Sequence, residues 1–474
     1  MNEGIVMKKW VTKTLVDYAM STTFADHPQA VIDKAKLFIL DNIGCALGGS
    51  ESPIGKAVWN PVRSMGGAEE ATLIGVGAKV PTIQAAFVNG TMANALDFDD
   101  AYLAIGHPGS TLIPAALAIG EWKKVSGEKI LNAIITAYEV GNRIGSAIQP
   151  SYEKLQNVWG VGTWQTFSAV VAAGKTHDLN TEQMLNAFGV AGATAPLPNT
   201  QKWGWDIEER PIHWVKEPTG WPSWTGSLAA ILASNGFIGN RCILDGENGF
   251  WIMAGSDRCD YDKMTFALGK HYTIMNGMSL KPYACCRWQH PALDCIRRIK
   301  HKNNLRIDDV KDIIIHSFAW VKSQEPYDLH SVVDGQFCMP YTAYMVMQGD
   351  PPGPGWYGEA NLHNKDIADF ASKIKVVTDT EMDKVYFDTD EISARVELRT
   401  QTGHMYTEFV DIPRGDPRNP LTKKEVEEKF ITQATSVLAR EDIPKAIKMI
   451  NNFEKLEDIT GLMAILAGTR YKYK

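Results

Sequence analysis

"EISARVELRTQTGHMYTEFVDI", residues 391–412, carries the clearest β pattern in this chain. Ala394, Val396 and Leu398 recur at every second position, which is the period of a half-buried β-strand. Gly403 marks a turn, and a second alternating run follows it. The stretch therefore predicts a β-hairpin inside a chain whose flanking segments have helical patterning.

An α+β module is predicted around this hairpin. "DVKDIIIHSF", residues 309–318, is short and rich in isoleucine, as is typical of a buried strand. "QGDPPGPGWYGEAN", residues 348–361, is so rich in proline and glycine that it predicts a loop. We place the module at residues 278–414, where these strand and loop signals are concentrated.

Helical patterning is predicted on both sides of the module. Apolar residues recur at helical spacing in residues 28–50, 127–148 and 180–195, and alanine and glycine are frequent there. Small residues let helices approach closely, so these segments are expected to be inner helices of a large bundle. The predicted fold is therefore mainly α: residues 1–277 and 415–474 form a helical domain, and the α+β module is inserted between them.

The composition restricts the partners of the chain. Its 474 residues carry a formal net charge of −7, so we expect no nucleic acid and no acidic membrane as a partner. Seven cysteines without a C-x-x-C pair argue against a disulfide framework and an ordinary zinc site. Scattered thiols fit a reducing compartment, and no secretory leader or long apolar run is apparent. The sequence therefore predicts a cytoplasmic protein without a membrane span.

The first candidate cluster lies in "ALDFDDAYLAIGHPGS", residues 95–110. Asp97, Asp99 and Asp100 precede His107 in a connector between two predicted helices. The acids could cap a helix and favour its dipole, with the histidine an ordinary hydrogen-bonded loop residue. Alternatively, a carboxylate could orient the imidazole and raise its basicity, which positions a proton carrier. The stretch alone leaves both interpretations open.

A second cluster is basic and lies in "SLKPYACCRWQHPALDCIRRI", residues 279–299. Lys281, Arg287 and His290 fall within ten positions of one another. Positive groups at this density suit the capture of carboxylates. An ordinary helix start with solvated lysine and arginine is the alternative.

Two further residues are candidates with weaker signals. Lys216 is surrounded by tryptophans in "HWVKEPTGWPSWTG", residues 213–226, and is either a surface lysine or a partly desolvated ligand for an anion. Tyr341 precedes an apolar run in residues 334–346, where a tyrosine is usually part of the core. Neither segment by itself shows whether its residue has a functional or a structural role.

Several familiar motifs are missing from the sequence. It has no G-x-G-x-x-G opening a βαβ unit, no P-loop, no G-x-S-x-G, no H-E-x-x-H and no Cys/His set with metal spacing. Cofactor-dependent redox chemistry, phosphoryl transfer and metallohydrolysis therefore lose support. We expect acid–base chemistry with no cofactor and no metal.

Five motifs together resemble the MmgE/PrpD family. The motifs are "NALDFDDAYLAIGHPGS" (94–110), "YEVGNRIG" (138–145), "KPYACCRWQHPALD" (281–294), "DGQFCMPYTAY" (334–344) and "RGDPRNPLTKKEVEEKF" (414–430). Each is moderately specific, and their order along almost the whole chain is strongly so. The resemblance implies a helical domain built from both ends of the chain, an α+β lid between them and a homodimer. It also implies a site without metal or cofactor between the helices and the lid.

The resemblance also implies roles for individual residues. Asp97 and His107 match the acid and histidine of the family's first loop, and Lys281 and Tyr341 match the lid-side lysine and tyrosine. Lys216 matches the lysine before a G-W turn. We predict Asp97, His107, Lys281 and Tyr341 as catalytic residues. The predicted substrate-binding residues are Lys216, Arg287, His290 and Trp159. Among the catalytic residues, we expect Asp97 to orient His107, and His107 to be the main acid or base.

Two departures from the family pattern bear on the reaction. Ala101 stands where the decarboxylase of the family has a threonine, and Trp159 stands where a family histidine is expected. We expect a lyase or isomerase that abstracts a proton α to a carboxylate of a small di- or tricarboxylate. The leading prediction is a hydro-lyase like 2-methylcitrate dehydratase. The alternatives are an epimerase or decarboxylase of the same family, or a non-catalytic carboxylate-binding member, which Trp159 favours.

Overall fold

The structure is a computed structural model that describes residues 10–103, 105–155, 157–159, 162–200, 211–212, 214 and 219–468. The helices are α1 Val11–Ser21, α2 Gln29–Ser50, α3 Pro53–Met65, α4 Thr82–Asn94, α5 Gly109–Lys123, α6 Gly127–Ala147, α7 Tyr152–Leu155, α8 Gln165–Thr176, α9 Thr181–Thr194, α10 Gly220–Ser234, α11 Tyr261–Thr265, α12 Thr273–Asn276, α13 His290–Asn303, α14 Ala319–Lys322, α15 Val332–Gln336, α16 Met339–Gln348, α17 Glu359–Leu362, α18 Lys365–Ala371, α19 Thr380–Thr389, α20 Lys423–Ala434, α21 Asp442–Asn451 and α22 Thr460–Leu466. The strands are β1 Ala71–Leu73, β2 Ala78–Val80, β3 Ala101–Tyr102, β4 Val158–Trp159, β5 Asn199–Thr200, β6 Met278–Ser279, β7 Val310–Ser317, β8 Ile374–Thr378, β9 Ala394–Thr400 and β10 Met405–Val410.

The inner helices of the helical part pack closely because small residues face each other. α8 lies against α5, α6 and α10. A Cβ added at Gly141 of α6 would lie 1.7 Å from Ser168 Oγ of α8, and one at Gly226 of α10 would lie 2.5 Å from Ala169 Cβ. No larger side chain fits at either glycine without displacing a neighbouring helix. The prediction that these small-residue helices lie inside the bundle is confirmed.

Helix α20, in the C-terminal part of the chain, packs against α2, in the N-terminal part. α20 starts at the N-cap Thr422, whose side chain accepts a hydrogen bond from the Glu425 amide in a capping box. The helix then packs along α2, where Phe430 contacts the position of Gly44. The helical part is therefore completed by the last segment of the chain.

The predicted hairpin is the edge of a four-stranded sheet with the order β10-β9-β7-β8. β9 and β10 are antiparallel, with Ala394 opposite Val410, and Gly403 has a φ of 89° in the turn between them. β7 pairs with β9 antiparallel and with β8 in parallel. The hairpin and the isoleucine-rich strand predicted from the sequence are confirmed.

The buried apolar side chains form two clusters. One is built mainly from the helical part, and the other mainly from residues 283–410. Ala95, Leu96 and Phe98 belong to the second cluster although they follow α4 of the helical part. The connector after α4 therefore lies between the two parts of the molecule. The mainly α fold with an inserted α+β module is confirmed, whereas the domain limits proposed from the sequence stay a prediction.

None of the helices within the described part of the chain is long and apolar enough to cross a bilayer.

Candidate active site

The acid-rich connector, residues 95–109, folds back on itself and is here called the acidic loop. Asp97 has a φ of 48°, which turns the backbone sharply after α4. Tyr102 then forms a β-bridge with Gly106, so the loop reverses before α5 begins. This reversal brings His107 next to the aspartates that precede it in the chain.

A two-residue strand pairing joins the acidic loop to the lid. Ala101 of β3 lies opposite Ser279 of β6, two positions before Lys281. Lys281 is 1% exposed. Its ammonium group donates to the carbonyl of Asp97 at 2.8 Å and forms an ion pair with the Asp97 carboxylate. An ammonium group this deeply buried is stable because its charge is paired and hydrogen-bonded.

His107 is buried beside three aspartates. Its Nδ1 lies 2.6 Å from the carbonyl oxygen of Asp100 and 3.3 Å from Oδ1 of Asp99. Its Nε2 lies 3.7 Å from Oδ1 of Asp97. A carbonyl can only accept a hydrogen bond, so Nδ1 carries a proton. The proton on Nδ1 leaves Nε2, which lies toward the Asp97 carboxylate, as the ring nitrogen that can gain or lose a proton.

The carboxylates around His107 differ in their electrostatics. Asp99 accepts hydrogen bonds from Asn94 and Ser110. Its burial opposes ionisation, but the charge and hydrogen bond of His107, the charge of Lys281 and the hydrogen bond from Ser110 together lower the pKa of Asp99. Asp100 accepts from the Tyr138 hydroxyl at 2.7 Å. Burial, followed by repulsion from Asp99, raises the pKa of Asp100 to about 7.

Glutamine and tryptophan side chains from the start of α8 hold the far side of the acidic loop. Gln165 Oε1 accepts from the backbone amide of His107 at 3.2 Å. The Trp164 indole donates to the Ile105 carbonyl at 3.0 Å and packs against Gly106. The histidine backbone is therefore fixed from α8, and its ring from the acidic loop itself.

Arg287 and His290, both predicted to bind substrate, lie in different surroundings. Arg287 pairs with Asp416 at 2.7 Å and approaches the Leu103 carbonyl at 3.5 Å, so it lies beside the acidic loop. His290 is buried in the lid, with Nε2 3.3 Å from the Cys285 carbonyl oxygen. Burial and the charge of Lys281 hold the pKa of His290 well below its usual value. These surroundings favour a neutral, structural histidine.

Tyr341 lies in the interior of the lid. Its hydroxyl donates to the carbonyl of Trp356, and its ring stacks on Tyr357 with the centroids 5.8 Å apart. The Tyr357 hydroxyl in turn donates to the Ala284 carbonyl, which is three residues after Lys281. The structure therefore links Tyr341 to the lysine segment through a second tyrosine.

Two predicted substrate ligands cannot be placed. Lys216 lies outside the described residues. The backbone of Trp159 pairs with Asn199, but its side chain also lies outside the described part of the chain. Both assignments stay predictions.

Sequence reasoning gave no role to several residues that shape the site. Asp99 lies closer to His107 than Asp97 does, and Gln165 fixes the histidine backbone. Lys429 of α20 forms an ion pair with Asp41 at 2.6 Å and also donates to the carbonyls of Phe98 and Lys281. The repeated acid pattern could have indicated Asp99. Lys429 has no signal of its own, because it is one of several lysines in an amphipathic helix.

Asp97, Asp99 and His107 also offer three ligand atoms within 4.8 Å of one another, which is a geometry that a metal ion could use. The Lys281 ammonium already neutralises Asp97 in this cluster. A divalent cation bound here would have to lie close to that ammonium group, and like charges repel at such distances. The donor set therefore favours proton chemistry.

A buried imidazole that lies among carboxylates beside a buried ammonium group defines, on this fold, a candidate acid–base enzyme. The chain belongs to the MmgE/PrpD family: the family's N-terminal domain model matches residues 13–259, and its C-terminal domain model matches residues 283–455.

Curated relatives cover almost the whole chain. A cis-aconitate decarboxylase of Aspergillus terreus is 25% identical, covering 97% of this chain and 96% of the relative. The human cis-aconitate decarboxylase is 22% identical, covering 98% and 96%. A 2-methylcitrate dehydratase of Escherichia coli K12 is 31% identical over 198 residues, which is 37% of this chain and 38% of the relative. The named relatives are thus lyases of two kinds.

Proposed function

We propose that this chain is a lyase that transfers a proton at a carbon α to a carboxylate of a small di- or tricarboxylate, with elimination of water as the leading reaction. The observation that carries the proposal is the buried cluster of His107, Asp97 and Lys281. Such a proton is weakly acidic, so its removal needs a positioned base and a neutralised carboxylate. In the cluster, the His107 imidazole can act as the base, and the Lys281 ammonium group can neutralise a substrate carboxylate.

His107 is proposed as the acid–base group. Nε2 accepts the substrate proton while the C–H bond breaks and its electrons form the C=C bond. The C–O bond to the β-hydroxyl breaks, and the resulting imidazolium returns the proton to the departing hydroxide, which leaves as water. Asp97 is proposed to orient the ring, and Asp97 and Asp99 together stabilise the imidazolium by charge.

Lys281 and Arg287 are proposed as the cations that hold substrate carboxylates. Each charge-assisted hydrogen bond contributes about 1.5–3 kcal/mol. The Lys281 ammonium has Asp97 as its resident partner, so a substrate carboxylate would share or replace that contact. Lys216 and Trp159 are proposed as further substrate ligands. Tyr341 is proposed as a catalytic residue contributed by the lid.

Proton NMR in deuterated water tests the reaction. Citrate, 2-methylcitrate, cis-aconitate and itaconate are incubated with the protein, and solvent deuterium and product olefin are followed. Formation of an olefin from a hydroxy acid supports the leading reaction. No turnover and no deuterium incorporation with this set and with larger substituted hydroxy acids of the same class would refute an acid–base enzyme and leave a non-catalytic carboxylate-binding protein, for which thermal shifts without turnover are expected.

Decarboxylation is the second candidate, because the relatives that match the whole chain are named cis-aconitate decarboxylases. Release of carbon dioxide from cis-aconitate, with itaconate as product, would favour it over dehydration. Ala101 at the position of the decarboxylase threonine argues against decarboxylation and leaves both a hydro-lyase and an epimerase open. Epimerisation would instead give deuterium exchange without a change of bond order.

We also propose that the chain works as a cytoplasmic homodimer. The family resemblance supports the dimer, and the scattered cysteines support a reducing compartment: all seven are free in the structure. Light scattering at micromolar concentration tests the oligomeric state, because a dimer has twice the mass of the chain.

A further inference from the structure

A cavity adjoins the acidic loop at the junction of the helical part and the lid. Its volume is about 330 Å³. Ile105 and Trp164 form one wall, and the Trp164 indole is bonded to the Ile105 carbonyl two residues before His107. The opposite wall comes from the lid and includes Trp320 and Tyr386. The cavity therefore shares its wall with the loop that carries the proposed proton carrier.

The buried part of the cavity lining combines three aromatic side chains with Ile105, Ile148 and Ala254. Trp164 is 3% exposed, Tyr386 is 2% and Trp320 is 8%. Tyr152 of α7 and Phe387 of α19 meet across the junction with ring centroids 4.3 Å apart and planes tilted by 54°. Walls of this kind accept a further ring in edge-to-face or tilted contact, which is the arrangement aromatic side chains prefer.

Charges line the cavity only where it meets solvent, and they balance. Arg258, Lys263 and Asp388 are exposed, and Asp390 is half-buried. Two cations and two acids give no net attraction for another carboxylate. The charged rim therefore gives no preference for another carboxylate, and the aromatic and aliphatic walls are the part of the lining that can bind an apolar group.

One end of the aromatic wall lies near a cation proposed to bind substrate. Trp288, which follows Arg287 in the chain, packs on Trp320 of the cavity wall with the ring centroids 4.7 Å apart. Arg287 also approaches the Leu103 carbonyl in the acidic loop. A carboxylate near Arg287 and an apolar group in the cavity are thus compatible with a single small molecule.

We infer that the substrate is a carboxylate that carries an aromatic substituent, and that this cavity binds the ring. This inference rests on the proposed function and adds the substrate class to it. A volume of about 330 Å³ exceeds what a methyl group needs and is within the range of small-molecule sites. The compact substrates of the test set above would leave the cavity unfilled.

Calorimetric binding of succinate and 2-benzylsuccinate tests the inference without requiring turnover. The two ligands differ only by the benzyl group, whose burial should tighten binding by about tenfold to a hundredfold. Ala254 lines the cavity and is 7% exposed. The Ala254→Leu variant fills part of the cavity, so it should lose most of the benzyl preference and keep its affinity for succinate.

Ala360→Leu, at an exposed position of α17, is the matched control and should keep the preference. If Ala254→Leu does not fold, Tyr152→Ser provides the second variant, because Tyr152 is 43% exposed and its ring still forms part of the wall. That variant should reduce the preference at least threefold. Equal affinity of the wild-type protein for both ligands, or a preference that the folded cavity variants leave unchanged, would overturn the inference.

Failure of the inference is distinguishable from failure of the proposed function. Turnover of 2-methylcitrate without any benzyl preference would support the proposed lyase function and refute the inference of an aromatic substrate. Absence of turnover with every compact and benzyl-substituted hydroxy acid, together with a benzyl preference abolished by Ala254→Leu, would retain the ring site and remove the lyase.

Discussion

Lys429 and Asp41 form a buried ion pair, with 2.6 Å between Nζ and Oδ1. The same ammonium group donates to the carbonyls of Phe98 and Lys281, so one side chain holds α2, the acidic loop and the lid segment together. Its Nζ also lies 3.8 Å from the centre of the Phe98 ring. Through Lys429, helix α20 in the C-terminal part of the chain thereby holds the acidic loop and the segment of Lys281 in place.

Lys429→Met should destabilise the protein strongly. Removing one partner leaves the Asp41 carboxylate buried without its counter-charge, which typically lowers the free energy of unfolding by about 3–5 kcal/mol. Urea unfolding followed by circular dichroism measures the loss. Lys424→Met, on the exposed face of the same helix, is the control and should change stability by less than about 0.5 kcal/mol. Similar stability of the two variants would contradict the stabilising role of the buried pair.

His107→Gln should abolish most of the turnover and leave the fold intact. Glutamine retains hydrogen bonding but cannot act as a base, and general acid–base groups contribute about 10²–10⁴-fold in rate. Turnover is measured by the NMR assay, and folding by circular dichroism. Near-normal turnover of His107→Gln, with loss of activity in Tyr341→Phe, would assign the proton transfer to the tyrosine.

Lys281→Ala should mainly weaken substrate binding. The lost charge-assisted contact corresponds to a rise in KM of about 10- to 150-fold. The variant also leaves Asp97 without its counter-charge, so its unfolding is measured in parallel. A kcat loss as large as that of His107→Gln, with KM unchanged, would show that Lys281 acts in proton transfer.

Asp100 should make stability depend on pH around neutrality. Its pKa is raised to about 7 by burial and by Asp99, so the folded protein binds this proton more tightly than the unfolded chain. Its contribution to stability is therefore largest at low pH and is lost as the pH rises through about 7. The slope reaches about 1.4 kcal/mol per pH unit between the two pKa values.

Asp100→Asn isolates this effect. The introduced amide can still accept from the Gly109 backbone N–H and donate to the Tyr138 hydroxyl oxygen, which keeps both contacts of the carboxylate. Urea unfolding of both proteins at pH 5, 6, 7 and 8 gives their difference. The wild-type protein should lose stability relative to the variant as the pH rises. A pH-independent difference would show that Asp100 is not protonated in this range.

Chelation should leave the activity unchanged, because the proposed chemistry uses only protein side chains. Dialysis against EDTA, followed by the NMR assay and elemental analysis, tests this expectation. Loss of turnover that one divalent metal restores would instead assign Asp97, Asp99 and His107 as its ligands.

The sequence by itself determined several of the long helices, the isoleucine-rich strand and the hairpin, whereas β8 and the short strands β1 to β6 were not predicted. The alternation in residues 391–412 and the helical spacing in residues 28–50 are local patterns, because each element buries one face at a fixed period. The acids of the acidic loop and the basic segment around Lys281 were likewise visible as local concentrations of charge. Their matching motifs were enough to identify the family.

Only the tertiary structure decided how those charges are paired. Lys281 reaches Asp97 across 184 positions, through a two-residue strand pairing too short to leave a pattern. Lys429 occupies an amphipathic helix like any surface lysine, yet the packing of α20 on α2 buries it beside Asp41. The period of an element depends on its own residues, whereas the partner of a buried charge depends on which distant faces meet.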